Sequence, residues 1–148
     1  MVYDTVREIL KRKGYEVWSI SPDSNVYPAI EMMADKHVGA LLVIAETKLV
    51  GILSERDYAR KVILKGRSSK DTRVQEIMTS PVISVGPHHS VDECMRIMTE
   101  SRIRHLPVIE NEQVIGIVSI GDLVNCIMSS QDHTIRQLEN YVTGKYPL

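Results

Sequence analysis

Gly51-Ile52-Leu53-Ser54-Glu55-Arg56-Asp57 and Gly116-Ile117-Val118-Ser119-Ile120-Gly121-Asp122 decide the fold, because they are one stretch written twice. Superimposing them at a constant offset of 65 residues aligns residues 19–63 with residues 84–128 without a gap. Identical pairs include Ser19/Ser84, Pro22/Pro87, Val26/Val91, Met33/Met98, Leu41/Leu106, Val43/Val108 and Gly51/Gly116, 11 of the 45 aligned positions in all. Most other apolar positions exchange one aliphatic residue for another, as in Ile20/Val85 and Leu53/Val118. An ungapped match of this length is duplication, and a repeat organises everything read after it.

Each copy reads as β-α-β-β-α. A short strand meets a Pro-containing turn at Ser21-Pro22-Asp23 and again at Gly86-Pro87-His88. A helix follows, with Val26, Ile30 and Met33, then Val91, Met95 and Met98, at helical spacing. Ser90-x-x-Glu93 is a capping box at the start of the second of these helices. Two apolar strands come next, over 40–44 and 49–53 and over 106–109 and 114–118, joined by short polar links that suit hairpins. A last helix starts at Ser54 or Ser119. One unit of this kind exposes a hydrophobic helix face, and two copies about an approximate twofold axis are expected to cover each other.

The expected organisation is an N-terminal helix over 1–16, repeats over 17–64 and 81–129, a linker over 65–80, and a C-terminal helix and tail over 130–148. Val2, Val6, Ile9 and Leu10 line one flanking helix, and Ile135, Leu138 and Val142 the other; both read as packing or dimer elements. At 148 residues, 43% hydrophobic and 25% charged, the chain is an ordinary globular mix with enough length for a core. A net charge of -1 offers no long-range pull on nucleic acid or an anionic membrane, so any anion site is local. Cys94 and Cys126 share no metal-like spacing and read as buried free thiols. No apolar run reaches the roughly 18 residues of a membrane span, and the start shows no secretory pattern, so a cytoplasmic protein is expected.

The motifs admit two readings. Ser and Asp three apart, where a strand runs into a helix, make a capping box that satisfies orphan N–H groups. The same residues also suit a nucleotide. A Ser hydroxyl at a helix start donates to a phosphate, and a carboxylate one turn on accepts from both hydroxyls of a ribose. The Gly before each strand end leaves room for a flat base to approach the backbone. The capping reading accounts for one such motif; two in register, amid diverged polar neighbours, favour the second.

The duplicated β-α-β-β-α unit ending in G-h-h-S-x-x-D resembles the CBS-domain pair, or Bateman module, over about residues 17–129. The stretch 53–62 and Arg102-Ile103-Arg104-His105-Leu106-Pro107 are similar to a stand-alone, single-pair subgroup of bacteria and plant organelles. The resemblance implies two clefts between the repeats that take adenosine-type ligands: AMP, ATP, NAD(H) or S-adenosylmethionine. The first would combine Ser54, Arg56 and Asp57 with Ile83, Arg104, His105 and Pro107. Asp57 would hold the ribose, Ser54 and Arg104 the phosphate, and His105 a second phosphate contact. The second cleft would set Ser119, Gly121 and Asp122 against Trp18, Ala40 and Leu42. Gly39 and Ala40 stand where the second repeat has Arg104 and His105, so the second cleft is expected to take a less charged ligand or stand empty. Trp18 reads equally as adenine stack and as core.

The resemblance further implies a homodimer, a disc of two pairs, acting on a partner protein that the sequence does not name. No P-loop, G-x-S-x-G elbow or H-E-x-x-H stands in the chain, and Ser at an N-cap without a base is not an activated nucleophile, so no catalysis is expected. His88-His89 alone cannot furnish a metal site, and Lys65-Gly66-Arg67-Ser68-Ser69-Lys70 reads as a solvated linker. The expected function is therefore a non-catalytic adenine-nucleotide sensor, with no required cofactor. The alternative is a ligand-free interaction module whose clefts are vestigial.

Overall fold

The computed structural model describes residues 5–130; the expected helix of Ile135, Leu138 and Val142 lies outside the described residues, as do Val2 and His133. The described chain divides into two compact units, Glu16–Ser84 and residues 5–15 with 85–130.

In the first unit, β1 (Ser19–Ile20) runs parallel to β2 (Ala40–Ala45), which pairs antiparallel with β3 (Lys48–Ser54). In the second, β4 (His105–Glu110) pairs antiparallel with β5 (Gln113–Ser119), and a single parallel bridge, Val85 to Val108, stands where β1 pairs β2. Both hairpins turn through two residues with positive φ, Glu46-Thr47 and Asn111-Glu112, the backbone that matches a two-residue turn to the strand twist. Both ladders also slip by one residue at the same place, between Val43 and Ile44 and between Val108 and Ile109. The β-α-β-β-α repeat is thus reproduced down to its irregularities.

The helices α2 (Val26–Lys36) and α5 (Val91–Ser101) bury Val26, Ala29 and Met33, and Val91, Cys94 and Met98. Each stops at a left-handed residue, His37 or Arg102, whose N–H closes on the carbonyl four back. Their starts differ. Ser90 and Glu93 form the expected reciprocal box on α5, whereas Asn25 makes no side-chain cap on α2.

The flanking segment and the linker take a place that periodicity did not indicate. The N-terminal helix α1 (Val6–Lys13) packs in the core of the second repeat, and α4 (Val74–Ile77), inside the expected linker, packs in the core of the first. The two are equivalent. Thr5 bridges Ser90 as Arg73 bridges Asn25. The Val6 and Arg7 amides donate to the His89 and Pro87 carbonyls, as Val74 and Gln75 donate to Ser24 and Pro22. Each repeat is therefore completed by the segment that precedes the other repeat in sequence. The linker is accordingly not all solvated: Thr72, Val74 and Ile77 are buried, and the Thr72 hydroxyl donates to the Ser68 carbonyl at 2.7 Å.

Candidate functional site

The helix α3 (Glu55–Tyr58) opens at Ser54 and passes into a π-helical turn, Ala59–Ile63. The helix α6, over residues 120–130, opens at Ser119 and stays α-helical. At the first motif, the Ser54 amide and hydroxyl donate to Asp57 Oδ2 at 3.0 and 3.1 Å, and the Asp57 amide donates back to Ser54 Oγ at 3.2 Å. At the second, the Ser119 amide donates to Asp122 Oδ2 at 2.8 Å and the Asp122 amide to Ser119 Oγ at 3.2 Å. Both motifs are complete capping boxes. Each also holds a half-buried carboxylate at a strand–helix junction.

Three residues that sequence reasoning did not single out complete these carboxylates. Lys61 lies 3.1 Å from Asp57 Oδ1 and also donates to the Ile77 carbonyl at 3.0 Å. The Thr79 hydroxyl reaches Asp57 Oδ1 at 3.3 Å, while the Thr79 backbone pairs with Ile52 through both its N–H and its C=O. In the second unit, Lys13 at the end of α1 lies 2.7 Å from Asp122 Oδ2 and donates to the Ile117 carbonyl at 2.9 Å. The Lys61 pair was readable, since Asp and Lys four apart on a helix face each other. Thr79 and Lys13 carry no such signal.

The two glycines do not keep space for a base. A Cβ at Gly51 would meet Met78 Sδ at 2.5 Å and the Thr79 carbonyl oxygen at 3.2 Å, and one at Gly116 would meet Leu10 Cδ2 at 2.8 Å. Close approach is what they permit, but to the α1 and α4 segments. This corrects the sequence-based assignment. Gly121 has only an ordinary contact, Ser119 Oγ at 3.6 Å from a Cβ placed there.

The remaining expected residues sort by unit. Ala40 and Leu42 are buried in β2, opposite Ser54 and Ile52. The carbonyl of Trp18 accepts from the Leu42 amide; its half-buried ring packs on the first core and carries the Lys36 ammonium 4.4 Å from its centroid. Arg56 is half-buried and Ile83 exposed in that same unit. In the second unit, Pro107 is buried, Arg104 exposed, and His105 sits across the ladder from Ser119. Burial, then the Lys13 charge, hold the His105 imidazole below its ordinary pKa, against a smaller opposing pull from Asp122. At neutral pH it is an uncharged donor rather than a cation. A cavity of about 260 Å³ opens beside Asp122, lined by Ile9, Arg12, Lys13, Asn125, Cys126 and Ser129.

Both cysteines are buried and neither is in a disulfide, and burial pushes the Cys94 thiol up to about 11. Among the described residues, no group of three or more His, Cys, Asp or Glu could hold a metal ion, and no helix is long and apolar enough to cross a membrane.

Paired β-α-β-β-α units, each ending in a Ser/Asp box, define a class. The CBS domain model matches residues 5–64 and again 74–129, so the chain belongs to the CBS-domain family, whose pairs are regulatory, ligand-binding modules. It is 40% identical to the CBS domain-containing protein CBSX3, mitochondrial, of Arabidopsis thaliana, over 96% of this chain and 73% of that protein. Among solved structures, a protein with CBS domains from Burkholderia ambifaria MC40-6 is 52% identical, with a TM-score of 0.83 over 86% of this chain and 96% of that one. The CBS domain pair of protein MJ0100, in complex with 5-methylthioadenosine and S-adenosyl-L-methionine, shares the fold at a TM-score of 0.77 and 24% identity, over 86% and 98% of the two chains.

Proposed function

We propose that this chain is a non-catalytic regulatory module that binds an adenine nucleotide, AMP foremost, and passes binding to a partner protein as a change of conformation. The observation that carries this reading is the duplicated motif. Ser54/Asp57 and Ser119/Asp122 each hold a half-buried carboxylate within one helical turn of a serine hydroxyl. A ribose diol has two donors for such a carboxylate, and a phosphate can take the serine hydroxyl. The adenosine moieties of the two ligands bound by the MJ0100 pair support the ligand class and keep S-adenosylmethionine, ATP and NAD(H) as candidates.

In this reading Asp57 accepts the ribose hydroxyls and Ser54 meets the phosphate; in the other unit, Arg104 is a proposed phosphate contact and His105 a neutral N–H donor. Arg56 and Ile83 in the first unit, and Pro107 in the second, are the other proposed nucleotide contacts. Signalling requires that the nucleotide bind one conformation more tightly than another. A homodimer belongs to the same reading: Ile63 and Met128, equivalent in the repeat, are both exposed apolar residues on the helix after each motif.

One observation favours the ligand-free alternative. Asp57 already receives the Ser54 amide and hydroxyl, Lys61 and Thr79, so its acceptor sites are filled within the chain. A thermal-shift panel of AMP, ADP, ATP, NAD, NADH, S-adenosylmethionine and GTP separates the two. A ligand at about 100 times its dissociation constant stabilises the fold by about 2.7 kcal/mol, a rise of roughly 5–10 °C for a chain of this size. A shift with adenine ligands and none with GTP supports the sensor. No shift with any of them supports the interaction module.

A further inference from the structure

The equivalence of α1 and α4 makes the two motif carboxylates directly comparable. In the first repeat, the segment after α4 supplies Thr79, whose backbone N–H takes the Ile52 carbonyl and whose hydroxyl rests on Asp57 Oδ1 at 3.3 Å. In the second repeat, the end of α1 supplies Lys13, whose single ammonium takes both the Ile117 carbonyl at 2.9 Å and Asp122 Oδ2 at 2.7 Å. Ile117 is Ile52 moved by the repeat offset, and Asp122 is Asp57. The segment that enters each frame therefore meets these two acceptors with a neutral residue in one repeat and with a cation in the other, while the cation on Asp57, Lys61, comes from the motif's own helix.

That difference bears on ribose binding. A diol that binds Asp57 at Oδ1 displaces the Thr79 hydroxyl and the Lys61 ammonium. Lys61 belongs to the motif's own helix and has a side chain 44% exposed; like Lys13, it keeps a backbone carbonyl, that of Ile77, when it leaves the carboxylate. At Asp122 the diol must displace a cation whose side chain is only 32% exposed, from a carboxylate oxygen that also accepts the Ser119 amide. Lys13 is the harder of the two lysines to displace, because its ion pair is shorter, 2.7 against 3.1 Å, and less screened by solvent.

From this asymmetry we propose that Lys13 is a specificity-determining residue, an internal occupant of the ribose-accepting position at the second repeat, which restricts the chain to one adenine nucleotide, held at Asp57. The inference rests on the functional reading above and adds the number of nucleotides bound and the residue that sets it. The sequence-based expectation traced the second site's weakness to its missing facing charges at Gly39 and Ala40. Here the cause is a charge that is present.

Isothermal titration with AMP tests it. The parent chain binds one AMP, and Lys13→Met, which keeps the aliphatic stem and removes the ammonium, binds two, with the first affinity unchanged. A parent that binds two AMP overturns the inference and leaves the functional reading standing. So does a parent that binds one while folded Lys13→Met and Lys13→Gln chains also bind one. Should both variants unfold, Asp57→Asn in the otherwise unaltered chain decides: loss of all AMP binding supports the occupant, and a surviving site at Asp122 overturns it. No binding by the parent overturns the functional reading, and this inference with it.

Discussion

The two repeats share a backbone closely enough that their differences are informative. Both carry the same two-residue hairpin turn, the same one-residue slip and the same left-handed helix stop. They differ in what completes them. The first repeat is closed by a four-residue helix and Thr79, and its motif helix relaxes into a π-turn. The second is closed by the eight-residue α1, which brings Leu10 over Gly116 and Lys13 onto Asp122. Duplication fixed the frame, and the segments entering each frame from elsewhere in the chain gave each site its chemistry.

The largest expected effect tests those incoming segments. Leu10 and Met78 occupy equivalent places above the two glycines, but Leu10 is fully buried and Met78 only partly. Leu10→Ala should cost about 2–5 kcal/mol, the range for a buried Leu truncated in a core, and Met78→Ala clearly less. Urea unfolding of both variants checks this. Equal losses would mean that the two segments close their cores alike.

A smaller effect separates the helix starts. Ser90→Ala removes a complete capping box and should cost about 0.5–2 kcal/mol, whereas Asn25→Ala removes no side-chain cap and should be nearly neutral. Thermal unfolding of the pair reads the difference. A matching loss in both would show that Asn25 caps α2 in solution.

The smallest is a pH effect confined to the second repeat. His105 has its pKa lowered in the folded chain, so the unfolded chain takes up the proton more readily. Its contribution is intact above the unfolded value of about 6.5 and is lost progressively as the pH falls from there through the lower folded value. The first repeat has Ala40 there and no such titration. His105→Asn should therefore show a smaller fall in Tm between about pH 7.5 and pH 5.5 than the parent. An unchanged fall would place the acid sensitivity elsewhere.

Much of this was legible in the sequence, for identifiable reasons. The repeat offset and the apolar alternation gave both hairpins, and Ser90-x-x-Glu93 gave its cap, because these signals are local and periodic. The motif residues were legible for the same reason. The exchange of α1 and α4 was not. Val6, Ile9 and Leu10 show that a helix needs cover, but periodicity does not say which core supplies it. Their match to Val74, Ile77 and Met78 runs over five residues at an offset of 68, not 65, and so escaped the main alignment. For that reason Lys13, 109 residues from its carboxylate, could not be placed. The glycines misled for a related reason: a missing side chain signals close approach without naming what approaches.

The central claim is that Asp57 is the ribose-binding residue of an adenine-nucleotide sensor, and titration of AMP into Asp57→Ala against the parent tests it most directly. The variant is expected to stay folded, since the lost cap costs only about 0.5–2 kcal/mol, and AMP binding to disappear. A folded Asp57→Ala chain that binds AMP as tightly as the parent would contradict it.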